Sequence, residues 1–239
     1  MYFRKRKTPY KDCGCNGGEE VTGMYDLHTH TTMSDGEMLP IELIRRMSVL
    51  GYRTVAITDH VDGSNLITVL HNLERIRESA ALFGVRLLCG VEITHVPPAQ
   101  IHDLAGLARE SGADIIVIHG ETPVEPVAPG TNHAACMCES VDLLAHPGFI
   151  TTEDALLAAD NDIALELTSR AGHNRTNGYV VKIARDTGCR LAIDSDAHAP
   201  GDLLDETARK VIGHGAGLTG EEEQRALSLN IDEWLRKRH

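Results

Sequence analysis

Histidines and carboxylates recur in this chain at the ends of short apolar runs. The first run closes as Asp26-Leu27-His28-Thr29-His30. In an extended chain, residues two apart face the same side, so His28 and His30 point together as two ligands of one metal ion would. Asp35 follows in Ser34-Asp35-Gly36, a turn able to fold a carboxylate back over the strand end. Later runs close as Thr58-Asp59-His60, Gly90-Val91-Glu92, Ile118-His119-Gly120, Ala145-His146-Pro147-Gly148 and Asp194-Ser195-Asp196-Ala197-His198. His28, His30, Asp35, His60, Glu92, His119, His146, Asp196 and His198 are therefore candidate metal ligands. Imidazole mixed with carboxylate suits Zn²⁺, Mn²⁺ or Fe²⁺. A zinc ion usually takes about four ligands, so a set this large fits two or three ions sharing a bridging carboxylate. One histidine at a strand end is commonly a hydrogen-bonded structural residue. Many ionisable groups gathered in one place without cations would be very costly.

The elements that must position these groups show in the hydropathy pattern. Short apolar runs at roughly 24–28, 53–58, 86–91, 114–118, 141–145, 163–168 and 190–194 alternate with longer amphipathic stretches. That rhythm marks βα units around a parallel sheet. Several runs are almost continuously apolar, such as Asp114-Ile115-Ile116-Val117-Ile118, as strands covered on both faces should be. In a parallel barrel all carboxyl ends of the strands lie on one face, where active sites are built. Six of the seven expected strands deliver His, Asp or Glu to that face as candidate ligands. The sixth, Ala164-Leu165-Glu166-Leu167-Thr168, offers Glu166, Thr168 and Ser169 instead.

Helix signals fill the gaps. Pro40 opens a helix that ends near Gly51, and Asn65 to Phe83 carries apolar residues at helical spacing. Thr219 with Glu222 forms a capping-box pair. Ile231, Trp234 and Leu235 give a short apolar face for docking on the barrel. Residues 1–22 differ, with Arg4-Lys5-Arg6-Lys7 followed by Cys13 and Cys15 and no periodicity. They read as an irregular arm before a single domain over 23–239.

The net charge of −12 opposes a nucleic-acid backbone, which is bound through clustered Lys and Arg. A small phosphorylated substrate is the partner this composition allows. No apolar segment approaches the ~18 residues of a membrane span, and no secretory h-region follows the basic start. A cytoplasmic protein with free thiols is expected. His133-x2-Cys136-x-Cys138 hints at a zinc site, but its place in the helix leading to the fifth strand favours plain core or surface thiols.

The ordered motifs from Tyr25 to about Pro200 resemble those of the PHP (polymerase and histidinol phosphatase) family. The resemblance implies a distorted seven-stranded (βα)7 TIM-like barrel holding three divalent metal ions. His28, His30, Glu92 and Asp196 would hold the first ion. Glu92 would bridge to a second, joined by His119 and His146, and Asp35, His60 and His198 would hold the third. Amidohydrolases share the HxH motif but often place a carbamylated Lys on the fourth strand, where this chain has His119.

The expected reaction is hydrolysis of a small phosphate monoester, histidinol-phosphate-like or a nucleotide or sugar phosphate, by a metal-activated water. The polar loop Thr168–Gly178 supplies Arg170 or Arg175 to grip phosphate and His173 as a proton donor to the leaving group. His95 is a further substrate-facing candidate, and Glu121 could orient a ligand. Competing readings are a nuclease or phosphodiesterase, a non-catalytic metal-stabilised module, and C–N hydrolysis.

Overall fold

The computed structural model describes residues 23–238. The basic arm, with Cys13 and Cys15, lies outside them. Strands β1 (Met24–Asp26), β2 (Tyr52–Ile57), β3 (His60–Val61), β4 (Arg86–Ile93), β5 (Ile115–His119), β6 (Leu143–Ala145), β7 (Ala164–Thr168) and β8 (Leu191–Asp194) form one parallel sheet. The order is β1-β2-β4-β5-β6-β7-β8, with β3 paired to β4 beyond the end of β2. This is the nearly closed barrel of seven parallel strands that the βα rhythm predicts. Chain order is preserved around it because each crossover helix returns the chain to the neighbouring position.

Two elements differ from the sequence reading. His60–Val61 is a separate short strand that pairs Glu92–Ile93, so β2 and β3 together do the work assigned to one run. The amphipathic stretch 65–83 is two helices, Leu66–Glu74 and Arg77–Leu82, broken at Arg75–Ile76. Its apolar positions suit one continuous helix. The chain turns where the Ile76 N–H bonds to the carbonyl of Leu73, only three residues back.

The barrel seam between β8 and β1 closes at its carboxyl end. The Asp196 N–H donates to the His28 carbonyl at 2.9 Å, and the His30 N–H donates to the Ala197 carbonyl at 2.9 Å. Below that, buried carboxylates replace ladder bonds. Asp194 accepts from the Leu27 N–H at 2.7 Å, and Asp26 accepts from the Ser195 N–H at 3.2 Å.

Two apolar layers hold the fold, with strand residues alternating between them. Outside the barrel, Val55, Ile57, Leu87, Ile116, Ile118, Leu165 and Ile193 pack among the helices. Inside, Tyr25, Leu27, Ala56, Leu88, Ile115, Val117, Ala164 and Ala192 cluster with Ile231, Trp234 and Leu235 of the last helix, Ile231–Arg238. That helix closes the barrel floor. The Trp234 indole donates to the Asp162 carbonyl at 3.0 Å, and the buried Arg238 guanidinium pairs with Asp142 and reaches the carbonyls of Asn161 and Val141. The alternation that lines the floor with small and apolar residues also decides what fills the mouth. Leu88, Gly90 and Glu92 share one parity on β4; Val117 and His119 share one on β5; Ala192, Asp194 and Asp196 share one along β8 and its extension. No helix among the described residues is long and apolar enough to cross a membrane.

Candidate metal centre

All nine predicted ligands converge at the carboxyl face. Their side-chain donor atoms fall into overlapping groups whose members lie within 4.8 Å of one another: His28, His30 and Glu92; His28, His146 and Asp196; Glu92, His119 and His146; and His30, Asp35, His60 and His198. Glu92 belongs to two of these groups and is completely buried. Its carboxylate lies 3.4 Å from His28 Nε2, 3.5 Å from His30 Nε2, 2.6 Å from His60 Nδ1 and 3.7 Å from His146 Nε2. Asp196 lies 3.3 Å from His30 Nε2, 3.6 Å from His146 Nε2 and 3.4 Å from His198 Nδ1. Asp35 stands at the outer edge, 3.6 Å from His60 Nε2 and 3.3 Å from His198 Nε2.

The donor set fits divalent cations. Neither oxygen of Glu92 has a properly oriented hydrogen bond despite being surrounded by imidazole nitrogens. The Nε2 atoms of His28 and His30 face each other at 3.0 Å. Converging lone pairs around an unsatisfied buried carboxylate are costly unless a cation lies among them. The electrostatics agree. Burial opposes charge on His28, but the carboxylates of Glu166, Glu92 and Asp196 lift it well above the ordinary imidazole value. Burial and the adjoining imidazoles, His60 for His30 and His119 for His146, hold His30 and His146 well below it. Burial works against the Glu92 anion, yet His28, His60 and His119 hold its carboxyl well below the usual range. Imidazoles held below their ordinary value keep the lone pair that a metal ligand must offer.

Local folding puts each group in place. Gly36 lies so close to the backbone of His30 that a Cβ there would sit 2.6 Å from the His30 carbonyl carbon, so the Asp35 turn doubles back on the HxH segment. Asp59 holds that turn by accepting from the Thr31 N–H at 2.7 Å, the Thr31 hydroxyl at 2.7 Å and the Ser34 hydroxyl at 2.7 Å. His146 and Asp196 adopt φ of 27° and 52°, a region uncommon for any residue but glycine. Such backbone strain persists where surrounding structure over-determines it, commonly at functional sites.

Several functional contacts were not assigned from sequence. Glu166 on β7, seen there only as a substitute for a ligand, braces two of them. One oxygen lies 2.7 Å from His28 Nδ1, and the other accepts from the His146 N–H at 2.8 Å. This is the carboxylate–histidine arrangement that fixes a ligand's tautomer and ring orientation. Its signal was the strand parity of Glu166, two residues after the interior Ala164. Asp59 was visible only as part of the Thr58-Asp59-His60 motif. Glu125, in the loop after β5, carried no signal. Its carboxylate nonetheless lies 3.1 Å from His95 Nε2, 3.2 Å from His119 Nε2 and 3.3 Å from His173 Nε2. Hydrogen bonding to His119 pulls its carboxyl down to about 2.

The predicted substrate contacts divide. His173 is buried with its ring 4.3 Å from that of His146 and tilted 52° to it, and His95, at φ 53°, lies 5.0 Å from the His119 ring. Arg170 instead pairs with Asp202 at 3.3 Å, and Arg175 is exposed on the turn that follows. Glu121 does not face a ligand: it accepts from the N–H groups of Gly130 at 3.0 Å and Asn132 at 2.9 Å and so ties its own loop. Cys136 and Cys138 are buried and His133 bonds to Asp154 at 2.7 Å, so that trio forms no metal group. A cleft of about 370 Å³ opens beside the centre, lined by Asp35, His60, Thr94, His95 and Glu125 among others.

Residues 26–186 match the PHP domain. The chain belongs to the PHP family. It is similar to an uncharacterized protein of Methanocaldococcus jannaschii, 48% identical over 90% of this chain and 99% of that protein. It is also similar to a probable phosphatase of a Thermoanaerobacter species, 28% identical over 87% of this chain and 90% of that protein. Among solved structures, an archaeal ribonuclease P bound to mature tRNA contains a chain with a TM-score of 0.68 at 17% identity, covering 90% of each chain. The histidinol phosphate phosphatase of Lactococcus lactis, solved with zinc, L-histidinol and phosphate, gives a TM-score of 0.58 at 14% identity, covering 82% of this chain and 94% of that one. At these identities the structural likeness concerns the fold, and it agrees with the PHP barrel.

Proposed function

We propose that this PHP protein is a metal-dependent phosphoesterase acting on a small phosphate monoester. The observation that carries the reading is the buried Glu92 carboxylate, free of oriented hydrogen bonds and shared between two groups of convergent imidazoles. His28, His30, Glu92 and Asp196 would hold one divalent ion, Glu92, His119 and His146 a second, and Asp35, His60 and His198 a third. When bound, such ions neutralise phosphoryl oxygens and lower the pKa of water toward neutrality. Glu166 keeps His28 in one tautomer so that its Nε2 faces the centre. His173, which burial holds below its ordinary pKa, stands at the rim where a leaving group would exit, within reach to exchange a proton with it. The adjoining cleft is of a size for a small substrate. The probable-phosphatase relative supports the same reading.

The test pairs metal analysis with a phosphate-release screen over histidinol phosphate, nucleoside monophosphates, sugar phosphates and a chromogenic diester, with Mn²⁺ or Zn²⁺ supplied. Wild-type protein should hold about three ions per chain and release phosphate from a preferred monoester, while Asp196→Asn should lose metal and turnover but keep its fold. Retained turnover in that variant would refute the ligand set. Cleavage of the diester alone would move the assignment to a phosphodiesterase, and metal without any hydrolysis would move it to a structural module.

A further inference from the structure

Glu125 is a carboxylate at the mouth that the nine-ligand scheme leaves without a task. It sits in the loop joining β5 to the helix Thr131–Cys136, and its oxygens reach imidazoles from three different strand ends: His95 after β4, His119 at the end of β5 and His173 after β7. His119 belongs to two groups of donors that lie within 4.8 Å of one another, one with Glu92 and His146 and one with His95 and Glu125. The loop is tied in this position. Glu121 bonds two of its N–H groups, Gly148 packs against the Glu121 carbonyl, and Val124 packs on Gly172 beside His173.

Charge balance gives this placement a purpose. Three divalent ions carry six positive charges, whereas the nine ligands include only three carboxylates, Asp35, Glu92 and Asp196. The middle group is the poorest, because its single carboxylate, Glu92, is shared with the first. The imidazoles of His119 and His146 add no negative charge there.

We infer that Glu125 is an additional, loop-borne ligand that caps the ion position formed by Glu92, His119 and His146. The inference rests on the three-ion reading. The carboxylate supplies the charge that position lacks. Being about two-fifths exposed, at 37%, and standing on the wall of the cleft, it can yield its place to an incoming phosphate oxygen. A carboxylate at this spot therefore holds metal in the resting protein and must be displaced by an anionic substrate.

The experiment is a chelator-competition titration of Zn²⁺ on full-length wild type, Glu125→Gln and Glu121→Gln, repeated with inorganic phosphate. Circular dichroism and urea unfolding check each fold. Glu125→Gln should keep two ions as in the wild type and release the third about tenfold more readily or beyond, at least the effect of losing a group that only supports a ligand. It should also bind inorganic phosphate more tightly once fully loaded. Glu121→Gln, which loosens the loop without removing the Glu125 carboxylate, should weaken the third ion clearly less than Glu125→Gln does. Unchanged affinity in Glu125→Gln, or an equal loss in Glu121→Gln, overturns the inference while leaving the three-ion reading intact. A wild type that binds no zinc would instead overturn the parent reading.

Discussion

Glu166 shows how much of the candidate metal centre rests on residues behind its convergent donors. It uses both oxygens, one toward His28 Nδ1 and one on the His146 N–H, and it is fully buried. In Glu166→Gln one of these contacts must become a donor facing a donor, because an amide offers only one acceptor oxygen. The expected loss is about 10- to 100-fold in metal affinity, measured by chelator competition, with secondary structure retained. Affinity equal to the wild type would mean that His28 is held by packing alone. The candidate ligands were legible because HxH and DxH put two donors on one side of a strand end. Glu125 was not legible, since a loop glutamate has no periodicity to betray its direction.

The strand-to-loop junctions carry the strain of the site. His146 takes a left-handed φ, and Gly148, two residues later, has φ +60° with the Glu121 carbonyl oxygen 2.0 Å from where a Cβ would stand. Only glycine lets the β6 junction pass this close to the neighbouring loop. Gly148→Ala should destabilise the protein by about 2 kcal/mol or more, from the φ penalty and the forced backbone shift together. A urea-unfolding midpoint near that of the wild type would show that the junction has slack. Strand positions were readable from continuous apolar runs. The break at Arg75–Ile76 and the separate strand His60–Val61 were not, because local pattern allows one long helix and one long strand there and the turn of the backbone around the barrel does not.

At the level of the whole molecule, the barrel is plugged at one end and open at the other. The last helix fills the floor with Ile231, Trp234 and Leu235, packed against small interior residues such as Ala56, Ala164 and Ala192. Trp234 is 2% exposed and its indole N–H is bonded. Trp234→Ala should cost about 3–5 kcal/mol, because the large void sits among alanines that cannot collapse into it. Denaturant unfolding measures this, and a loss under 1 kcal/mol would imply that the floor repacks. Metal content of the folded variant should stay close to that of the wild type, since the plug and the mouth lie at opposite ends of the strands.

The amino-acid sequence by itself determined the βα rhythm, the parallel barrel and the nine strand-end side chains that converge at its mouth. Each follows from local periodicity: apolar runs for strands, a two-residue repeat for ligand pairs, and the rule that parallel strands end on one face. Only the tertiary structure decided which groups share a neighbour. It gave Glu92 to two imidazole groups, turned Arg170 onto Asp202, tied Glu121 into its own loop, and brought Glu125 to three histidines from separate strands. Those contacts depend on how loops from different βα units cross the mouth, and one-dimensional spacing carries no record of that crossing.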